Sequence, residues 1–152
     1  MGSESDTIRS ATLADLAGIE RCVDAAYRPY LADMATPPAP MLDDYAELVG
    51  RGVVDVIDDD GDLAGVLVSW AESDHYYIDN IAVGPDRQGR GCGAALIDHA
   101  TETAKTLGLG ELRLYTNEAM TANLSYYPSR GFTETHRSSD QGYRRVYFSK
   151  AI

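Results

Sequence analysis

Gly89, Gly91 and Gly93 alternate along the stretch Arg87-Gln88-Gly89-Arg90-Gly91-Cys92-Gly93-Ala94. Upstream, Ile78-Asp79-Asn80-Ile81-Ala82-Val83 is rich in β-branched and apolar residues and reads as a strand, ended by Gly84-Pro85. Downstream, Leu96, Ile97 and Ala100 share one helical face, and Leu107 continues the apolar trend. A strand, a glycine turn and a helix start make a seat for an anion. The first helical turn has backbone N–H groups without intrahelical partners, and the macrodipole adds partial positive charge. Glycine carries no Cβ, so a phosphate or pyrophosphate can come against the backbone. Arg87 and Arg90 supply charge for phosphate oxygens.

Two familiar phosphate loops are excluded or weakened by the spacing. A Walker A loop needs a closing Gly-Lys-Ser/Thr, which is missing. A dinucleotide fingerprint has Ala94 at its last glycine position, and no Asp or Glu ends a second strand about 20 residues later. Gln88-Gly89-Arg90-Gly91-Cys92-Gly93 does fit Q/R-x-x-G-x-G/A after a strand ending in Ala82-Val83. In this the chain resembles the GNAT superfamily of N-acetyltransferases, whose donor is acetyl-CoA. The segment Leu114 to Phe132, with Tyr127 four residues before the pair Gly131-Phe132, is similar to that family's second cofactor motif.

The resemblance implies direct acetyl transfer from acetyl-CoA to a primary amine, with no metal. It implies that the Tyr127 hydroxyl lies near the CoA sulfur as general acid. Asp79, four residues before Val83, corresponds to a carboxylate that takes the amine proton. Beside an apolar sheet face its pKa would rise, which suits a base near neutral pH. Glu72, Asp74 and His75 are fallback bases. The backbone of Ile81, Ala82 and Val83 and the turn Arg87, Gln88, Gly89, Arg90, Gly91, Cys92, Gly93 and Ala94 are expected to hold the cofactor, with the Val83 N–H polarising the thioester. Asn123 and Tyr126 join that set, Asn123 where the family commonly has a small apolar residue; on a helix Tyr126 would point away from Tyr127. Cys92 reads as a small filler. Tyr27, Tyr30, Met34, Met41, Tyr45 and Asp79 are the expected acceptor wall.

The elements around these residues complete the same outline. Thr7-Ile8-Arg9 is a short strand; Thr12 with Asp15 approximates a capping box before a helix from Leu13 to about Tyr30. Pro37, Pro38 and Pro40 exclude helix between Met34 and Met41, and a second helix is expected from Leu42 to Val49. Strands follow at Val53–Ile57, Leu63–Trp70 and Tyr76–Val83, with Asp60-Gly61 as a hairpin turn. Period 2 puts Asp79, Ile81 and Val83 on one face and Ile78, Asn80 and Ala82 on the other. After the helix come a strand at Glu111–Thr116, a helical stretch at Asn117–Tyr127 broken by Pro128, and strands at Phe132–Arg137 and Tyr143–Lys150. The expected architecture is α/β (α+β): one GNAT-like domain over 7–152, with a mixed, mostly antiparallel sheet of six to seven strands, about four helices and a flexible segment at 1–6.

With 152 residues the chain is long enough for one ordinary core. No apolar run has the length of a membrane span, and the polar, acidic start is unlike a signal peptide. Cys22 and Cys92 have no framework or metal spacing, which suits a reducing cytoplasm. The net charge of −11, with Lys105 and Lys150 as the only lysines, disfavours nucleic acid and suits a cationic acceptor. The expected acceptor is therefore a small cationic amine; a protein lysine or N-terminal amine is the alternative. A non-catalytic acyl-CoA sensor is the alternative of another class. A homodimer, paired through the edge of the C-terminal hairpin, is open.

Overall fold

The computed structural model describes residues 6–152. Of the expected flexible segment at 1–6, all but Asp6 lies outside the described residues. The strands are β1 (Asp6–Ser10), β2 (Val54–Asp59), β3 (Asp62–Ala71), β4 (Tyr76–Val83), β5 (Glu111–Asn117), β6 (Thr133–Asp140) and β7 (Tyr143–Ala151). The α-helices are α1 (Leu16–Tyr27), α2 (Tyr45–Gly50), α3 (Cys92–Thr106) and α4 (Thr121–Ser129). The sheet order is β1-β2-β3-β4-β5-β7-β6. Every neighbouring pair is antiparallel except β4 and β5, which α3 joins as a parallel crossover. This is the expected single-domain mixed sheet.

The sheet has a core on each face. On one face α3 packs Leu96, Ile97, Ala100 and Ala104 against Leu67, Ile78, Leu112 and Leu114. On the other, α1 packs Ile19, Cys22 and Val23 against Val54, Val56, Val66 and Val68, with Tyr45 and Val49 of α2. Because both faces are covered, β3 is buried almost end to end, the pattern of a strand sandwiched between layers.

The structure departs from the sequence expectations at identifiable points. The first helix splits: Leu13–Asp15 and Arg28–Asp33 are 3₁₀ turns on either side of α1. Ala39–Leu42 is also a 3₁₀ turn, with Pro40 near its start where the missing N–H costs nothing. The second helix is accordingly shorter and begins at Tyr45, capped by the Asp44 side chain on the Glu47 N–H. Pro128 lies inside the last turn of α4 and does not end it. The last hairpin turns on two residues, Gln141 (φ 52°) and Gly142 (φ 83°), where a five-residue loop was expected. The cause is β6, which is exposed at every position and carries no apolar alternation.

The largest correction concerns β4. Val68 pairs with Asn80 and Ser69 with Ile78, so Asp79 is an extra residue, a β-bulge. A bulge shifts the side-chain alternation by one. Ile78 and Ile81 therefore pack toward the α3 core, whereas Ala82 packs toward the α1 core and Asn80 meets tyrosines of α1 and α2. The period-2 faces expected for this strand hold on each side of Asp79 but not across it.

Candidate active site

Strands β4 and β5 pair only from Tyr76↔Leu112 to Ile78↔Leu114. Beyond Asp79 they part, because β4 stays on β3 while β5 stays on β7 through Asn117. The ladder on the other edge of β4 shows which groups the gap exposes. The Gly84 N–H donates to the Ala64 carbonyl at 3.0 Å. Bonded residues alternate in an antiparallel pair, so Gly84 and Ala82 turn to β3, and Ile81 and Val83 turn to the gap. Their carbonyls accept there from the Tyr27 hydroxyl (3.2 Å) and from Gln88 Nε2 (3.5 Å). Ala82, by contrast, is spent on the ladder and the core.

The gap opens on one side into a cleft of about 1180 Å³, its mouth included, lined by Tyr30, Ile81, Val83, Gln88, Gly89, Gly91–Ala94, Ala122, Tyr126 and Arg130. Gly89 (φ 83°) and Gly91 (φ 84°) take the left-handed conformation that turns the chain into α3. Ala95 is the first residue whose N–H closes onto the turn, at the Gly91 carbonyl (2.9 Å). Among the described residues, the N–H groups of Gly89, Gly91, Gly93 and Ala94 have no hydrogen-bond partner. This is a cradle of donors at the N-terminus of a long helix, and it fits a pyrophosphate. The Tyr126 hydroxyl lies so close to Gly93 that a Cβ there would meet it at 2.7 Å. Tyr126 therefore belongs to this cleft, against the helical-wheel expectation that it points elsewhere.

The arginines divide. Arg90 is exposed and has no described ion pair. Arg87 is mostly buried and holds Asp59 (3.1 Å), Asp62 (2.9 Å) and Asp86 (3.3 Å). It ties the glycine turn to the β2–β3 hairpin and also lines the wide cleft. Arg130, over the Tyr126 ring at 5.6 Å, lines the cleft and was not singled out from sequence. Its place at the end of α4, one turn from Tyr126, was the available signal.

On the other side of the gap lies a narrower pocket lined by Asp79, Asn80, Tyr115, Thr116, Pro38, Ala39, Pro40, Tyr143 and Arg145. Tyr27, Ile81, Asn123 and Tyr127 line both hollows. Tyr127 is buried against Phe132, Phe148 and Tyr126, and no described residue hydrogen-bonds its hydroxyl. Burial holds that phenol well above its ordinary pKa, so it is protonated at neutral pH. Asn123 gives its amide to Thr116 Oγ1 at 2.9 Å, which fixes its direction beside Tyr127.

Burial, then the neighbouring Asp43 carboxylate, lifts the Asp79 carboxyl to about 6; the Tyr77 hydroxyl, Arg145 and Arg51 oppose the rise. Arg145 is held by Asp140 at 2.8 Å and stacks over Tyr115 at 4.3 Å. Asn80 behind Asp79 is fully engaged: it accepts from Tyr27 and donates to Tyr45 at 3.0 Å. The fallback bases fall outside both hollows. Glu72 accepts from Trp70, and Asp74 pairs with His75, at the turn before β4.

The expected acceptor wall is only partly assembled. Tyr27 and Asp79 line the pocket; Tyr30 lies in the wider cleft. Met34 and Met41 pack against the α1 core, and Tyr45 is a buried support whose hydroxyl donates to the Pro40 carbonyl at 2.6 Å. Tyr143 and Arg145, from the far hairpin, are among the wall residues that sequence reading missed, as are Tyr115 and Thr116 of β5.

The sequence pattern of the Acetyltransferase (GNAT) family matches residues 19–132. The chain is 32% identical over 74 residues to the [Ribosomal protein bS18]-alanine N-acetyltransferase of Escherichia coli (strain K12), over 49% of this chain and 50% of that protein. It thus spans about half the length of the curated relatives it matches. In structure it is similar to the PaiA N-acetyltransferase of Thermoplasma acidophilum in complex with coenzyme A (TM-score 0.81, 16% identity, 97% of this chain and 99% of that one). It is also similar to the Escherichia coli ribosomal-protein-S18-alanine N-acetyltransferase (TM-score 0.75, 23% identity, 97% and 94%). At these identities the structural likeness concerns the fold.

Proposed function

This chain belongs to the GNAT family of acetyltransferases, and we propose that it moves an acetyl group from acetyl-CoA directly to the primary amine of a small cationic molecule. One observation carries the reading. A cleft ready for an anion and a pocket with a carboxylate of raised pKa meet at Tyr127.

In this reading the pyrophosphate rests on the N–H groups of Gly89, Gly91, Gly93 and Ala94, with Arg90 and Arg130 at the rim, and the pantetheine amides pair with Ile81 and Val83. The acetyl thioester then reaches the junction of the two hollows. Ile81 lines both hollows and Val83 only the wider one, so the Ile81 N–H is the better placed polariser of the thioester carbonyl.

The acceptor enters as an ammonium beside Asp79, which takes one of its protons directly or through a water. The neutral nitrogen attacks the acetyl carbon; a C–N bond forms and the C–S bond breaks. Tyr127 donates toward the departing sulfur. A free thiol has a pKa near 8.5, below that of this phenol, so Tyr127 stabilises the developing thiolate by its hydrogen bond more than by surrendering the proton. As the amide forms the nitrogen gives up a second proton, which reaches the thiolate through solvent, so that CoA–SH leaves with the N-acetylated amine, and Asp79 returns the first proton to water.

A small cation is supported by the proline roof and by the charges. Asp79 and nearby Asp43 are negative, and Arg145 is already matched by Asp140. A protein N-terminal amine is the second reading, favoured by the printed activity of the bacterial relatives. A cytoplasmic setting and a homodimer remain expectations of the same proposal.

Calorimetric titration with acetyl-CoA, with NADH and ATP as controls, tests the donor. One selective site per chain is expected, followed by amine-dependent release of CoA. Binding without release by any amine would favour an acyl-CoA sensor; absence of binding would leave the glycine cradle without its ligand.

A further inference from the structure

The roof of the narrow pocket is a strap, residues 34–41, and it is fastened at two points. The Tyr45 hydroxyl donates to the Pro40 carbonyl at 2.6 Å from the core side. The Tyr143 hydroxyl donates to the Pro37 carbonyl, also at 2.6 Å, from the far hairpin. Pro37, Pro38 and Pro40 have fixed φ, so a strap held at both ends is stiff between them.

Tyr143 stands next to the two-residue turn Gln141-Gly142, at the tip of a hairpin whose β6 strand is exposed at every position. The hairpin is otherwise tied back by Arg144 and Arg137 on Glu118 (2.7 and 3.0 Å), while Arg145 holds Asp140 across it (2.8 Å). Beyond the strap lies a second, shallower hollow lined by Asp33, Met34, Ala35, Thr36, Glu118 and Arg144. Asn117 and Tyr143 line this hollow as well as the Asp79 pocket. The two hollows thus adjoin at Asn117 and Tyr143, with strap residues in the wall of each.

We infer that Tyr143 is a specificity-determining residue: its hydrogen bond to the Pro37 carbonyl closes the partition and limits the Asp79 pocket to short acceptors. This rests on the reading that the Asp79 pocket takes the acceptor amine. With the bond made, an amine fills the inner pocket and its body must be short. With the bond lost, the strap lifts, the outer hollow joins the inner one, and an elongated acceptor fits.

Tyr143→Phe keeps the ring and removes only the hydroxyl. Two probes are compared, a four-carbon linear diamine and a hexapeptide with a free N-terminal alanine. The expected result is a rise of about tenfold in the ratio of kcat/KM for peptide over diamine, the scale of one hydrogen bond, with an unchanged Kd for acetyl-CoA. Hydrogen exchange at the Met41 amide, which the Pro38 carbonyl holds at 2.9 Å within the strap, should quicken by a similar factor. An unchanged ratio overturns the inference, even where exchange quickens, because the latch then does not select acceptors. Unchanged exchange overturns it as well. If the wild-type protein binds acetyl-CoA yet acetylates neither probe nor any other amine, the acceptor reading itself falls, which the exchange data tell apart from an absent latch.

Discussion

The two hollows that meet at Tyr127 are built in opposite ways. The wide cleft is made of backbone: left-handed glycines, the open end of α3, and the Ile81 and Val83 edge of a strand that has lost its neighbour. Most of it comes from one continuous stretch, residues 81–94. The narrow pocket is made of side chains from six places, α1, the proline strap, β4, β5, α4 and β7. Backbone sites tolerate change in side chains and read any ligand with the right anionic outline. Side-chain sites depend on each contributor, and they set which acceptor is used. The difference suits a protein with a constant donor and a particular acceptor.

Asp79→Asn should give the largest effect, because it strikes the side-chain hollow at its reacting group. Loss of a general base costs on the order of 10²–10⁴-fold in rate, while the Kd for acetyl-CoA should not move. In the wild type, kcat/KM should fall as the pH drops through about 6, where Asp79 takes up its proton. Stability should change in the opposite sense. The folded pKa of Asp79 lies above the ordinary 3.8, so its ionised form burdens the fold above pH 6 and not below about 4. Asp79→Asn should therefore be more stable than wild type at pH 7.5, by about 2–3 kcal/mol on the shift cited, and the gap should close on acidification. A variant that keeps wild-type turnover would move the base to another group and undo the contrast between the two hollows.

The same contrast explains what could be read from the amino-acid sequence. The glycine turn was legible because Gly89, Gly91 and Gly93 are demanded by backbone geometry, and such demands appear as residue types at fixed spacing. The parallel pairing of β4 with β5 followed from helix α3 lying between two strands, whereas the place of β7 between β5 and β6 was not legible. The carboxylate partners of Arg87 were not legible, because charge alone does not say which partner is nearer; Asp59 and Asp62 lie some 25 to 28 residues away in the chain. The bulge at Asp79 was illegible for a subtler reason. Burial still alternates along β4, since both faces of the sheet are covered, and nothing in the residue types marks the slip. Tyr143 and Arg145 were missed because they reach the pocket only through the pairing of β7 with β5, a contact that no local pattern records.

Gly91→Ala probes the backbone hollow and should act on binding, not on the chemical step. A Cβ at Gly91 meets no atom within 4 Å, so the cost comes from its φ of +84° alone. Holding an L-residue there costs about 1 kcal/mol or slightly more. The helix start should relax and the Kd for acetyl-CoA rise about tenfold, with kcat at saturating donor close to wild type. A fall in kcat with unchanged Kd would mean that the turn positions the acetyl group and does not simply hold the phosphates.

The smallest expected effects separate the two arginines. Arg90 faces solvent at the cradle, so Arg90→Gln should weaken acetyl-CoA binding by about three- to fivefold, the worth of an exposed charge pair. That loss should shrink as salt screens it. Arg87→Gln removes the partner of three carboxylates around the same turn. Asp59, Asp62 and Asp86 then repel one another, and thermal stability should drop more than binding does. Their exposure differs: Asp62 and Asp86 are open to water and contribute little, whereas Asp59 is mostly covered. A double variant, Arg87→Gln with Asp59→Asn, should thus recover most of the stability. Recovery of binding but not of stability would show that Arg87 serves the phosphate directly and that the carboxylates compete with it. In a chain of net charge −11 that competition matters. An arginine beside an anion site is available to the ligand only if no aspartate reaches it first, and here the fold supplies three for Arg87 and none described for Arg90.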